Sequence, residues 1–160
     1  MKKILWAFPF VLLLCFAFAC QNKAEKAELE TFRVQAKLEE QNRELCRKYT
    51  EAWNKGDYMS LKEEYAPNYA YYFPSGNPKP MSAEETIEMI KGIKEGFPDC
   101  VWSVEQVVAA GDMVITRNIW KATHSGNYLG IPPTGKTIEL SSISMVRIID
   151  GKRVEEREEY

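Results

Sequence analysis

The sequence predicts an α+β domain in which one curved sheet packs on about three N-terminal helices. Apolar residues recur at helical spacing in the segment 38–54, which predicts an amphipathic helix. The residues after Pro98 form long β-type segments joined by the short turns Gly111-Asp112 and Asp150-Gly151, which favour antiparallel pairing. Helices that precede strands in this way are typical of the α+β class.

Local signals bound each predicted element. The first helix ends near Gly56, and a second, short helix covers residues 58–65. Ser82 and Glu85 have the spacing of a capping box, which predicts a third helix that runs to about Gly96. The predicted strands cover residues 69–73, 101–109, 113–124, 137–149 and 153–160.

Composition excludes several functional classes. The chain has 160 residues, enough for one compact domain, and its formal net charge of -2 disfavours a nucleic-acid-binding role. His124 is the single histidine, so a multi-histidine metal site within one chain is excluded. The sequence also lacks the common nucleotide-binding, serine esterase and zinc protease signatures.

The N-terminus has the pattern of a bacterial secretory signal. Lys2 and Lys3 precede the uncharged segment 4–19, which is too short for a comfortable membrane span. This segment ends in Ala17-Phe18-Ala19-Cys20, which resembles a lipobox. We predict a signal peptide over residues 1–19 and lipidation of Cys20, which would place the protein in the bacterial cell envelope, on its periplasmic or outer-membrane side. The alternative is an ordinary signal peptide with an incidental cysteine.

Two further segments follow the predicted lipidation site. Residues 20–37 are rich in Lys, Glu and Ala, which predicts a polar tether, and residues 38–160 form the globular domain. Cys46 and Cys100 remain in the mature domain. They either form a disulfide or stay as two buried thiols, and the sequence leaves both alternatives open.

A series of short motifs resembles the SnoaL-like polyketide cyclase ("ester cyclase") branch of the NTF2-like superfamily. The resemblance runs from about Leu38 to the end of the chain. It implies a cone formed by a strongly curved antiparallel sheet with helices at its mouth, and often a homodimer. The motifs are Gly56-Asp57, Tyr65-Ala66-Pro67-Asn68, Gly96-Phe97-Pro98-Asp99, Thr123-His124-Ser125-Gly126, Gly130-Ile131-Pro132-Pro133-Thr134-Gly135-Lys136 and Asp150-Gly151-Lys152.

The same resemblance implies a reaction. Cyclases of this family close a ring by aldol chemistry on a polyketide ester, with a carboxylate on the last strand as acid and base. They need no metal or organic cofactor, so the resemblance implies that this chain needs neither. That position falls on Glu158 here, and Glu156, Glu158 and Tyr160 would share one strand face. The alternative is that the glutamates of this segment are a charge run on an exposed edge strand.

Several positions depart from the family pattern. The Gln and His of the cyclases correspond to Ser142 and Ser144, which donate hydrogen bonds but do not titrate near neutral pH. The Asn of the first strand corresponds to about Tyr71, whose hydroxyl is a candidate oxyanion donor. His124 is a third candidate catalytic residue beside Glu158 and Tyr71, with a structural role in its loop as the alternative.

The candidate substrate-binding residues are mostly aromatic. Arg117, in the middle of a predicted strand, is also a candidate. If it is buried there, it needs a carboxylate partner, for which Glu139 and Glu158 are candidates. The two serines complete the set. The predicted substrate-binding residues are Trp53, Tyr69, Phe73, Phe97, Arg117, Trp120, Ser142 and Ser144.

Three functions remain open at this stage. The first is a cofactor-free cyclase, isomerase or hydrolase acting on a hydrophobic carbonyl compound. The second is a non-catalytic, membrane-tethered module that binds an apolar ligand or a protein partner, and the third is a structural envelope protein. Family cyclases continue beyond the last strand, whereas this sequence ends at Tyr160, which suggests a shortened domain or a cut sequence.

Overall fold

The computed structural model describes the backbone of residues 8–160 and the side chains of residues 23–160. The chain divides into two compact units after Lys37. Part of the predicted signal peptide and the side chain of Cys20 lie outside the described residues, so both remain predictions.

The first helix, α1, is longer than the sequence pattern predicts. It spans Phe8–Lys55, because Lys, Glu, Ala and Leu are good helix formers and no glycine or proline interrupts residues 10–55. The residue after the helix is Gly56, whose φ of 68° is the left-handed conformation that commonly terminates helices. No helix in the described part of the chain has the length and apolarity needed to cross a bilayer.

Two shorter helices follow, and both have side-chain caps. Helix α2 covers Tyr58–Glu64, and Asp57 accepts a hydrogen bond from the backbone of Ser60. Helix α3 covers Ala83–Gly96, and the predicted capping box at its start is present.

The five strands form one mixed sheet. They are β1 (Tyr65–Tyr72), β2 (Val101–Ala110), β3 (Met113–Thr123), β4 (Thr137–Ile149) and β5 (Lys152–Glu159), in the spatial order β1-β5-β4-β3-β2. Strands β2 to β5 pair antiparallel, as predicted, but β1 pairs parallel with β5. Helix α3 and three strands separate β1 from β5, so no tight turn forces these two strands to be antiparallel. The α+β class is confirmed, with a mixed rather than a wholly antiparallel sheet.

Strand β1 also starts earlier than the sequence suggests. The sequence predicts a helix up to residue 65 and a strand only from residue 69, but β1 already begins at Tyr65 and includes Pro67. A proline is tolerated there because β1 is an edge strand, where a missing N–H breaks no ladder on the open side.

A β-bulge in β5 controls which residues face the interior. Glu155 pairs with Arg147 and Arg153 pairs with Ile148, which leaves Val154 as an extra residue. The bulge places Arg153 on the same buried face as Glu156, although the two residues are three positions apart.

The core lies between the helices and one face of the sheet. Cys46 and Cys100 are buried free thiols, in agreement with the second of the two alternatives. Cys46 packs in a small cluster with Val114 and Val146, and Cys100 packs in the main cluster. The largest members of the main cluster are Trp53, Tyr65, Tyr69, Tyr71, Phe97 and Trp120.

Candidate active site

Glu158 is a buried carboxyl group held by two hydroxyl groups. Its residue is 1% exposed, on the inner face of β5. The Tyr71 hydroxyl donates to Oε2 at 2.5 Å, and the Ser142 hydroxyl donates to Oε1 at 2.6 Å. Strands β1 and β4 flank β5 on either side, so the sheet order itself brings the three side chains together. The glutamate therefore does not belong to an exposed charge run.

A buried asparagine extends this network across the sheet. The Asn118 amide donates to Ser144 Oγ at 3.2 Å and to Ser142 Oγ at 3.4 Å. Asn118 is 2% exposed and lies opposite Ser142 in the β3–β4 register. Sequence reasoning missed Asn118, although it lies in phase with the apolar residues Val114 and Trp120 on β3.

Burial changes the chemistry of Glu158. Loss of solvent, and next the negative charge of Glu156, raise the pKa of Glu158 to about 7, although hydrogen bonds from Ser142 and Tyr71 act in the opposite direction. A carboxyl group with this pKa exists in both its acid and its base form near neutral pH, which suits proton transfer. Burial also raises the pKa of Tyr71 well above its ordinary value, so its hydroxyl keeps its proton and remains a donor.

A second buried cluster lies beside the first. Arg153 and Glu156 form an ion pair at 2.7 Å, and their side chains are 4% and 8% exposed. The Tyr69 hydroxyl donates to the same carboxylate oxygen at 2.8 Å, and the guanidinium lies 3.8 Å from the centre of the Tyr49 ring. Sequence reasoning placed Glu156 on this face but missed Arg153, because the bulge at Val154 breaks the alternation of the strand.

The interior between these clusters contains a small cavity. It is lined by Trp53 and Trp102, by Asn118 and Ser144 of the Glu158 network, and by Arg153. Its volume is about 20 Å³, which accommodates about one water molecule. Within the described residues, no three His, Cys, Asp or Glu side chains converge as the ligands of a metal would.

The family model of the SnoaL-like polyketide cyclases matches residues 43–160. The chain belongs to this family. The match covers the five strands and the buried carboxyl group, and it supports a function of the cyclase or isomerase type.

Solved structures of SnoaL-like and related proteins share the fold. AclR, a proposed hydroxylase from Streptomyces galilaeus, is 27% identical with a TM-score of 0.68, and the similarity covers 76% of this chain and 79% of AclR. IdmH from Streptomyces antibioticus, a proposed polyketide cyclase, is 30% identical with a TM-score of 0.65, over 74% and 90% of the two chains. A proposed SnoaL-like cyclase from Jannaschia sp. CCS1 is 25% identical with a TM-score of 0.67, over 76% and 86%. No curated protein matches the chain.

The predicted aromatic residues of this SnoaL-like chain occupy different environments. Trp53 lines the cavity, whereas Phe97 and Trp120 pack edge to face in the core with ring centres 5.3 Å apart. The Tyr69 hydroxyl donates a hydrogen bond to Glu156. Phe73 stacks on Tyr71 and borders the Glu158 site.

His124 contacts its own loop. Its Nδ1 lies 3.0 Å from the Thr134 hydroxyl, and its ring packs 5.0 Å from that of Phe97. Its backbone N–H donates to the carbonyl of Lys136, and its carbonyl accepts from Gly135. These contacts stabilise the loop that precedes β4, and no hydrogen bond found in the described residues joins His124 to Glu158. A catalytic role for His124 remains a prediction.

The prediction that Arg117 is buried beside Glu139 or Glu158 is wrong. Its side chain is 47% exposed and forms an ion pair with Glu105, while Glu139 pairs with Lys121. Residues alternate between faces along β3, so Arg117 points away from its buried neighbour Asn118. Arg117 therefore lies on the outer face of the sheet, away from the buried network.

Proposed function

We propose that this SnoaL-like protein is a cofactor-free acid–base enzyme of the cyclase or isomerase type that acts on a hydrophobic carbonyl compound. The observation that carries the proposal is the buried Glu158 carboxyl group, with a pKa of about 7 and hydrogen bonds from Tyr71 and Ser142. IdmH, which is 30% identical, is a proposed polyketide cyclase and supports the same reaction class.

The proposed step is removal of a proton from the carbon next to the carbonyl group. Ionised Glu158 takes this proton, and the C–H electron pair moves to the carbonyl oxygen to form an enolate. Protonation of Glu158 weakens it as an acceptor, so the Tyr71 O–H becomes available to stabilise the enolate oxygen. In a cyclisation, the enolate carbon attacks a second carbonyl group, and Glu158 returns its proton to the alkoxide oxygen that forms. In an isomerisation of an unsaturated carbonyl compound, Glu158 returns the proton to a different carbon of the conjugated enolate.

Substrate binding requires the interior to open. The cavity of about 20 Å³ is far smaller than the several hundred Å³ typical of small-molecule sites. We infer that a substrate would displace the aromatic side chains that fill the space between α1 and the sheet, such as Trp53 and Trp102.

The filled interior favours a second candidate function. A non-catalytic module that binds a protein partner or an apolar ligand needs no room beside Glu158. In that case, Glu158 would contribute to a polar core, and ligand binding would not depend on its protonation.

An exchange assay distinguishes the two candidates. The full chain is incubated with a hydrophobic β-keto ester in deuterium oxide, and deuterium at the carbon between the two carbonyl groups is measured by NMR. We expect Glu158→Gln to slow the exchange by about 100- to 10,000-fold, whereas Glu155→Gln, on the outer face, leaves it unchanged. Equal exchange by the wild type and Glu158→Gln would support the non-catalytic module.

We also propose that Cys20 is lipidated and holds the protein at the bacterial cell envelope. The support is the lipobox-like segment Ala17-Phe18-Ala19-Cys20 after an uncharged stretch. We expect the wild type to fractionate with membranes. In mass spectrometry, we expect Cys20→Ser to lack the added mass of the attached lipid. An unmodified N-terminal peptide in the membrane-derived wild type would contradict lipidation.

A homodimer through the outer face of the sheet completes the proposed assembly. Val108, Ile115 and Met145 lie opposite one another on β2, β3 and β4, and all three are exposed large apolar residues. We expect Ile115→Lys to convert a dimer into a monomer in light scattering, whereas Lys121→Ala leaves the mass unchanged. A monomeric wild type would contradict this assembly.

A further inference from the structure

The two buried carboxyl groups of β5 have nearly equivalent surroundings. Glu156 and Glu158 lie two residues apart on one face, and each accepts a hydrogen bond from a tyrosine of β1. Tyr69 serves Glu156, and Tyr71 serves Glu158. Two carboxyl groups this close disfavour simultaneous ionisation, so one of them tends to hold a proton.

Arg153 breaks this equivalence. It contacts Glu156 at 2.7 Å, whereas Glu158 is held by the neutral Ser142 hydroxyl instead. The guanidinium is 3% exposed at the residue level and is held in place by the Tyr49 ring on which it stacks. An arginine remains charged in such a site, so it stabilises the ionised form of Glu156.

Other groups around Glu158 do not supply an opposing charge. Strands β3 and β4 present the neutral side chains of Asn118, Ser142 and Ser144. The remaining titratable groups near the buried charges are Tyr65, Tyr69 and Tyr71 of β1, Cys46 and Tyr49 of α1, Glu64 of α2, and Tyr160 after β5. Glu64 is itself a carboxyl group, so Arg153 is the cation within this buried set.

We propose that Arg153 is a positioning residue that holds Glu156 as a carboxylate and thereby assigns the proton of the buried carboxyl pair to Glu158. This inference rests on the proposed function, because it explains how Glu158 carries the proton that acid–base chemistry requires. Arg153 acts through Glu156 and does not touch the reacting atoms.

The test is a pH titration of the glutamate carboxyl carbons by carbon-13 NMR on the full chain, without any substrate. In the wild type, we expect Glu158 to titrate with a midpoint of about 7. In Arg153→Met, Glu156 is expected to take up a proton in the same pH range as Glu158. In Glu156→Gln, the midpoint of Glu158 is expected to shift downward, because the nearby negative charge is lost.

Two further variants make the result specific. Arg157→Met removes an arginine from the outer side of β5, where it pairs with Glu155, and should leave both buried carboxyl groups unchanged. The double variant Arg153→Met/Glu156→Gln removes both charges and leaves no buried ion unpaired. It should lower the Glu158 midpoint as Glu156→Gln does, so it replaces Arg153→Met if that variant does not fold.

The outcomes separate the two ideas. A wild-type Glu158 that titrates near its ordinary value overturns the proposed function. If the wild-type Glu158 titrates at about 7, either of two results overturns the role of Arg153 alone: Glu156 takes up no proton together with Glu158 in Arg153→Met, or the Glu158 midpoint is unchanged in the double variant.

Discussion

Strand β5 contains four glutamates, and their surroundings give the same type of side chain different chemistry. Glu156 and Glu158 point into the core and are 6% and 1% exposed. Glu155 and Glu159 point outward, where they contact Arg157 and Ser75 in reach of solvent. The inner pair is held by buried hydroxyl groups and by one buried guanidinium.

The chemistry of each glutamate on this strand depends on which face of the sheet its side chain occupies. Solvent screens the outer ion pairs, so they contribute little to stability. The inner carboxyl groups have lost their hydration, so their partners decide whether they are charged. Alternation along one strand therefore separates solubilising glutamates from a candidate catalytic glutamate.

The largest difference in the free energy of unfolding is expected between two variants, each of which breaks one arginine–glutamate pair on one face of β5. Arg153→Met leaves the buried Glu156 without its cation, which should cost about 3–5 kcal/mol in the free energy of unfolding. Arg157→Met removes the matching outer pair and should cost about 0–1 kcal/mol. Urea unfolding of both variants measures this difference, and equal losses would contradict the distinction between the faces.

The next effect is a pH dependence of stability. The pKa of Glu158 is raised from 4.5 to about 7, so the folded state holds a proton that the unfolded state has released between these values. Its contribution to stability is fully present below about pH 4.5 and is lost as the pH rises to about 7. This loss is about 3 kcal/mol, since one pKa unit corresponds to about 1.4 kcal/mol.

Glu158→Gln is expected to remove this dependence, because an amide does not titrate. Glu155→Gln, on the outer face, should retain it. Urea unfolding across this pH range measures the change in stability with pH. An equal change between pH 4.5 and 7 in the wild type and in Glu158→Gln would count against the raised pKa.

The smallest effect is expected from changing Tyr71, the tyrosine that donates a hydrogen bond to Glu158. Tyr71→Phe removes a hydrogen bond that lowers the pKa of this carboxyl group, so its titration midpoint should move above 7. The free energy of unfolding should fall by about 1 kcal/mol. Tyr72→Phe is the matched control, because Tyr72 lies next in the strand and stacks under Arg157. A Glu158 midpoint that is unchanged in Tyr71→Phe would contradict the hydrogen bond.

Much of the site was predictable because strands alternate regularly. Two-residue spacing brought Ser142 and Ser144 to one face of β4, and the family resemblance aligned them with Glu158 and Tyr71. The same alternation also predicts Arg117 on the outer face, because the buried residues Val114 and Trp120 are each an odd number of positions away from it.

The remaining features depend on packing that the sequence pattern does not express. The bulge at Val154 shifts the phase of β5 and brings Arg153 inside, which no regular alternation predicts. The parallel pairing of β1 with β5 follows from the path of α3 and the intervening strands rather than from a turn motif. The closed interior arises from how large aromatic side chains such as Trp53 and Trp102 pack against one another.

The most direct test of the central claim is infrared spectroscopy of the Glu158 carboxyl group. Difference spectra between the wild type and Glu158→Gln are recorded one pH unit below and one above about 7. We expect the C=O stretch of a protonated carboxylic acid in the wild type at the lower pH, and we expect it to be largely lost at the higher pH. An ionised carboxylate at both pH values would contradict Glu158 as the acid–base group.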